Sequence, residues 1–307
     1  MTKDLISIQD LTPKDFDEIF ELTSDLKQKQ KRGEPHHLLS GKTLGMIFAK
    51  PSTRTRVSFE VGIFQLGGVG LYLSASDLQL GRGETITDTA RVLSRYLDGI
   101  MIRTFDQNEV KDLARHATIP VINGLTDLEH PCQILADLFT IKEYKGKLAG
   151  LTLAYVGDGN NNVTHSLLLA TSKIGMNMIC ASPSDYQPDS AIFEKALQNA
   201  RETKVEIKTI TDPKKAVKNA DVVVTDTWVS MGRSDVEKRI KAFTPYQLNQ
   251  KLLNLAKPEA IVLHCLPAHR GHEITDEVID GKQSVVLDEA ENRLHVQKAI
   301  MVKLMGS

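Results

Sequence analysis

Cysteine is scarce: three residues in 307, an odd count with no Cys-x-x-Cys pair. That argues against a disulfide framework and a zinc ribbon. Excess charge is missing too. Lys and Arg total 38 against 39 Asp and Glu, for a net charge of -1. A general nucleic-acid or membrane-surface binder is therefore not expected, although a balanced total leaves room for a local anion pocket. No apolar run approaches the roughly 18 residues of a membrane span, and low-complexity tracts and short repeats are absent. Residues 1–10 carry neither a basic n-region nor an apolar h-region, so no signal peptide is expected and the location is read as cytoplasmic. What is present is ordinary globular composition, 41% hydrophobic and 25% charged. In a 34.0 kDa chain this suffices for about two domains, each with a core.

Short apolar runs alternate with longer amphipathic stretches. Strands are expected at 44–49, 69–73, 99–102 and 119–122, then at 151–156, 176–181, 205–210, 221–225, 260–264 and 284–287. Helices are expected at 15–31, 54–66, 85–97, 108–116, 131–144, 162–174, 188–203, 245–256, 275–280 and 289–304. Such alternation predicts α/β architecture: two doubly wound, Rossmann-like parallel-sheet domains and a closing C-terminal helix. The polar, Gly-punctuated stretch 144–150 marks the boundary. The expected domains are 1–146, with helix 289–307 packing back on it, and 147–288. In open α/β sheets ligands bind beyond the carboxyl ends of the strands, and the unusual residues of this chain are concentrated there.

Ser52-Thr53-Arg54-Thr55-Arg56 follows one strand and opens a helix. Free N–H groups, a positive partial charge, hydroxyls and guanidiniums at one helix start make a compact phosphate cradle; a capped surface helix with solvated arginines is the plainer alternative. His130-Pro131-Cys132-Gln133 places Pro at a first helical turn, with His130 and Gln133 available to a carbonyl and an amide. Gly157-Asp158-Gly159-Asn160-Asn161-Asn162 is only a partial dinucleotide fingerprint, since Asn162 stands where its third Gly would be. Its asparagines suit a small polar ligand with a carboxylate. Asp226, before Thr227-Trp228-Val229-Ser230-Met231-Gly232, suits an ammonium group. His264-Cys265-Leu266-Pro267 ends another strand, where the thiol is either packing or a reactive, hydrogen-bonding group. His269, His272 and Glu273 raise a metal reading, but no second ligand cluster has a recognised spacing.

Ser-Thr-Arg-Thr-Arg, His-Pro-Cys-Gln, Asp-x-x-x-Ser-Met-Gly and His-Cys-Leu-Pro, in that order, resemble the carbamoyltransferase family, and the last two resemble its ornithine branch. The resemblance covers essentially the whole chain. It implies an N-terminal carbamoyl-phosphate domain, a C-terminal ornithine domain, a homotrimer or multiple of trimers, and neither metal nor organic cofactor. The implied carbamoyl-phosphate ligands are Ser52, Thr53, Arg54, Thr55, Arg103, His130, Pro131, Cys132, Gln133 and Arg293. Gln79 resembles a residue reaching in from a neighbouring subunit, and Cys265 and Leu266 line the junction of the two ligands. Asp226, Ser230 and Met231 resemble the ornithine site. The family loop appears here with an extra asparagine: counted from Gly157 the ornithine ligand is Asn161, counted from His165 it is Asn162. The helix that follows favours Asn162. The stretch 229–243, hydrophilic and poorly periodic, resembles a loop closing over ornithine.

The implied reaction is L-ornithine plus carbamoyl phosphate giving L-citrulline and phosphate, with Asp226 and Cys265 as the catalytic candidates for holding the δ-amine and receiving its proton. A carbamoyltransferase acting on another amine such as putrescine, a dinucleotide-dependent oxidoreductase and a non-catalytic binding protein are the rival readings.

Overall fold

The computed structural model describes residues 2–78, 83–229 and 235–306. By their internal contacts these fall into two units, Met1–Ala136 with Glu291–Ser307, and Asp137–Ala290. The divisions lie within two helices, the first of them ten residues before the expected boundary at 146. A helix that belongs to one core at its start and another at its end carries no break in composition to mark the change.

The first unit is built from α1 (Pro13–Lys31), β1 (Thr43–Phe48), α2 (Thr53–Gln65), β2 (Val69–Ser74), α3 (Ile86–Leu93), β3 (Gly99–Arg103), α4 (Gln107–His116), β4 (Val121–Leu125) and the start of α5 (Pro131–Lys145). Its sheet runs β2-β1-β3-β4, every pair parallel. Strands β3 and β4 are buried at every residue, as expected of parallel strands covered on both faces. Ile47, Ile100, Ile102 and Val121 pack there with Ala90, Val110 and Leu113. Strand β2 is an edge and exposes Val69, Leu71 and Tyr72, while α2 exposes Val57, Val61 and Phe64.

The second unit contains β5 (Thr152–Val156), α6 (Asn162–Ile174), β6 (Asn177–Ala181), α7 (Ser190–Thr203), β7 (Ile207–Ile210), α8 (Pro213–Val217), β8 (Val222–Val224), α9 (Val236–Phe243), α10 (Gln250–Leu253), β9 (Ile261–Leu263), α11 (Asp276–Ile279) and the first residues of α12 (Val286–Met305). Its sheet runs β7-β6-β5-β8-β9, again all parallel. Ala154, Val156, Val223 and Val262 form its core with Trp228, Phe243 and Leu248.

Three expectations are corrected. Residues 284–287 do not form a strand: Ser284 makes a single bridge to Val262, and the Val285 carbonyl already accepts the Glu289 N–H of the helix that follows. Pairing ends because the chain turns into α12. The stretch 229–243 is not all loop, since α9 occupies Val236–Phe243, with Arg239 and Phe243 buried at i,i+4. The expected helix at 245–256 shrinks to α10 and a 3-10 turn over Thr244–Tyr246.

The last part of α12 lies in the first unit and packs on α2 at Gly62, where a Cβ would stand 3.0 Å from Met301 and 3.3 Å from Lys298. Lys298 itself is fully buried. Its Nζ contacts His36 Nε2 and Gln65 Oε1, each at 3.0 Å, and burial lowers its pKa to about 8. Among the described residues, no helix is long and apolar enough to cross a membrane.

Candidate active site

In the first unit, β1 delivers the chain at Lys50, and Ser52 caps α2 by accepting the Thr55 N–H at 3.2 Å. The cap sets the direction of the first turn, which carries Thr53, Arg54 and Thr55. Thr55 is buried, and its Oγ1 receives Arg103 Nη1 at 3.4 Å and Arg293 Nη2 at 3.2 Å. Arg103 is the last residue of β3. Arg293 comes from α12 and also donates to Gln133 Oε1. Sequence positions 55, 103, 133 and 293 thus meet at one point.

His130 precedes Pro131, the first residue of α5. Burial lowers the imidazole pKa well below its ordinary 6.5, and the charges of Arg293, Arg103 and Arg54 push it the same way. The ring is therefore neutral, able to donate an N–H without adding a fourth positive charge. Cys132 is fully buried: its thiol donates to the Asn123 carbonyl at 3.4 Å, and burial pushes its pKa up to about 12. Gln79 lies outside the described residues. Sequence reasoning missed Lys50, a buried ammonium paired with Asp127 and 4.1 Å from the centre of the Phe105 ring. It ties the Arg-rich turn to the segment leading into His130. A Lys at a strand end just before the cradle was the available signal.

In the second unit, β5 ends in a turn that only glycine fits. Gly157 has φ +136°, and a Cβ on Gly159 would come within 2.7 Å of the Tyr186 carbonyl oxygen. Asn161 caps α6: its Oδ1 accepts the Thr164 N–H at 2.8 Å, and its Nδ2 donates to Tyr155 Oη at 2.9 Å. Both ends of that amide are committed within the fold, and Asn162 follows it, half-buried in the first turn of α6. Asp226, just beyond β8, is buried, and Cys265, just beyond β9, donates its S–H to Asp226 Oδ1 at 3.0 Å. Burial raises the Asp226 pKa, opposed by the nearby His264 imidazole and the Cys265 hydrogen bond. The Cys265 thiol is pushed well above its ordinary value by burial and then by the Asp226 charge. Ser230 and Met231 lie outside the described residues.

His264 Nδ1 accepts the Leu266 N–H at 2.9 Å, so its proton sits on Nε2, which donates to the buried Glu273 carboxylate at 3.1 Å. Burial raises the Glu273 pKa, but the hydrogen bonds from His264 and the His269 N–H outweigh it and hold the carboxyl below its ordinary value. Asp226, His264 and Cys265 offer ligand atoms within 4.8 Å of one another. A cation there would have to displace a hydrogen bond from His264 and a proton from Cys265.

Residues 3–143 match the model of the aspartate/ornithine carbamoyltransferase carbamoyl-P binding domain, and residues 149–304 match that of the Asp/Orn binding domain. The chain belongs to the aspartate/ornithine carbamoyltransferase family. Within it, the chain is 56% identical over 305 residues to an ornithine carbamoyltransferase of Thermococcus kodakarensis, covering 99% of this chain and 96% of the relative. It is 55% identical to the anabolic ornithine carbamoyltransferase of Pyrococcus furiosus over the same shares. A solved structure of ornithine carbamoyltransferase from Pyrococcus furiosus superimposes with a TM-score of 0.96, covering 99% of this chain and 97% of that one. The anabolic enzyme of Campylobacter jejuni gives 0.92 at 40% identity, covering 98% of each chain. The carbamoyltransferase models divide the chain between residues 143 and 149, at the Gly-punctuated loop.

Proposed function

We propose that the chain transfers the carbamoyl group of carbamoyl phosphate to the δ-amine of L-ornithine, giving L-citrulline and phosphate. The observation that carries this is the hydrogen-bonded pair of buried Asp226 and half-buried Cys265 in a chain whose relatives of this name align over 99% of it. An anion held by Arg54, Arg103 and Arg293 and an ammonium held by Asp226 are the two charges this reaction brings together. The names of two relatives, both anabolic, support the direction of arginine biosynthesis, and a cytoplasmic location fits that role.

On the donor side, the three arginines stabilise charge gathering on the departing phosphate, while neutral His130 and Gln133 address the carbamoyl group. On the acceptor side the amine must lose a proton before it attacks. At a lysine-like pKa of about 10.4, the free base at pH 7 costs roughly 4–5 kcal/mol. Asp226 holds the ammonium, and a carboxylate whose pKa burial has raised is the better acceptor for its proton. Cys265 then acts as donor rather than base: its S–H fixes one Asp226 oxygen, and its own ionisation is suppressed. Asn162, with Ser230 and Met231, is assigned to the amino-acid end of ornithine. Putrescine has no such end.

The exposed apolar side chains of α2 and β2, Val57, Val61, Phe64, Val69, Leu71 and Tyr72, support self-association through this face, with Gln79 completing a neighbour's site in a homotrimer or multiple of trimers. Phosphate release measured with ornithine, putrescine and aspartate as acceptors, with citrulline identified as the product from ornithine, tests the assignment. Equal rates with ornithine and putrescine would remove it.

A further inference from the structure

We infer that Arg239 is a positioning residue for the amino-acid acceptor, holding the turn 157–161 and the strand end 226–229 in one fixed geometry. The inference rests on the proposed acceptor role of Asp226 and Asn162. Arg239 lies on α9, inside the stretch 229–243 read from the sequence as a closing loop, where no motif gives it a role of its own. Its side chain is 4% exposed, and that of its ion-pair partner Asp158 is 3% exposed. Nη2 pairs with Asp158, in the middle of the turn that leads to Asn161 and Asn162. Nε donates to the Trp228 carbonyl oxygen, two residues beyond Asp226. The guanidinium also lies 4.9 Å from the centre of the Tyr186 ring and 5.2 Å from that of Phe243. Trp228 stacks in turn on Phe243 at 6.0 Å.

A buried ion pair is a weak source of net stability, since apolar groups of similar volume often do as well. What a forked guanidinium adds is direction, because it bonds two loops at once with fixed angles. Arg239 also removes an electrostatic competitor. Asp158 and Asp226 are both close enough to Tyr155 to raise its phenol pKa, after burial itself. With Asp158 neutralised by Arg239, one negative charge near Asp226 no longer competes with it for an ammonium. Without Arg239, two loops lose their common anchor and a second negative charge is uncovered behind the site.

The test compares Arg239→Met, Arg239→Lys and the double variant Arg239→Met with Asp158→Asn, which removes the buried negative charge together with its cation. Losing one charge-assisted anchor is expected to raise the ornithine KM about tenfold or more while the carbamoyl-phosphate KM stays within about twofold. Arg239→Lys keeps the charge without the fork and should show a smaller rise. Trp228 is the only tryptophan in the chain, so its emission reports on the anchor and should shift to the red in both Met variants. The double variant should regain thermal stability without regaining ornithine KM. Recovery of both together would make Arg239 merely structural and overturn the inference, as would equal rises in the two KM values. If Arg239→Met does not fold, the double variant carries the test. Asp226→Asn, made alone, separates the two ideas. If it depresses ornithine use while the Arg239 variants do not, the inference fails and the acceptor site stands. If it leaves ornithine use unchanged, the acceptor assignment falls, and the inference with it.

Discussion

Replacing Cys265 by alanine should move the acid limb of the pH–rate profile, and the geometry sets its size and sign. Cys265 donates to Asp226 Oδ1 at 3.0 Å, in surroundings where burial already raises the Asp226 pKa. A hydrogen bond to a charged group is worth about 1.5–3 kcal/mol, which at 1.36 kcal/mol per unit corresponds to about 1–2 pKa units. Removing a donor from the ionised carboxylate raises the pKa further, so protonation sets in at higher pH. Because the ionised form is the one that captures the ammonium and takes its proton, kcat/KM for ornithine in Cys265→Ala should fall off about 1–2 units earlier on the acid side. Serine retains an O–H donor, so Cys265→Ser should keep the limb within about half a unit of the parent. The assay is citrulline formation at low ornithine and saturating carbamoyl phosphate, from about pH 5.5 to about pH 9. An unmoved limb in the alanine variant, or an equal shift in both variants, would refute the donor role.

Arg54→Ala should weaken carbamoyl-phosphate binding at least tenfold, on the order of one charge-assisted contact, with thermal stability little changed; near-normal affinity by calorimetry would sink the phosphate-cradle assignment. Mixing inactive Gln79→Ala chains with inactive Arg54→Ala chains should restore some activity through hybrid sites, and no recovery beyond either parent would end the shared-site proposal. Lys298 should tilt stability with pH. Its folded pKa of about 8 lies below the ordinary 10.5, so between those values the unfolded chain binds more protons and stability rises with pH, by up to about 3 kcal/mol less whatever solvent screening reaches the group. Urea midpoints across that window should rise more steeply in the parent than in Lys298→Met, and parallel slopes would count against a buried, proton-poor Lys298.

The strand–helix order was legible because apolar runs of four to six residues alternate with amphipathic stretches, and both sheets are parallel as that pattern implies. The proposed donor site was legible as a candidate because Ser52 to Thr55 are contiguous and polar at a strand–helix junction. Their convergence with Arg103, Gln133 and Arg293 is a tertiary fact, and no local spacing foretells it. Residues 284–287 misled because a β-branched apolar run serves a buried helix start as well as a strand. Arg239 was invisible for the opposite reason: in a run of charged residues, one arginine turned inward looks like its solvated neighbours. Cys265 and Asp226 were singled out in the sequence and prove to be hydrogen-bonded, but the division of labour proposed for them depends on burial, which composition does not report.

The path of α12 has a consequence for the order in which the protein is made. The second unit is inserted in the sequence between Ala136 and Glu291, so most of the donor site leaves the ribosome long before its last arginine. Arg293, which meets Thr55 and Gln133, and the buried Val296, Ala299, Ile300 and Met301 that follow it arrive only after the acceptor unit has been synthesised. Domains fold as they emerge, N-terminal first, but this N-terminal unit cannot close its core or complete its anion site on that schedule. On the proposed reading of the site, an unfinished chain lacks Arg293, and with it one of the three arginines assigned to carbamoyl phosphate, until the intervening unit has been made.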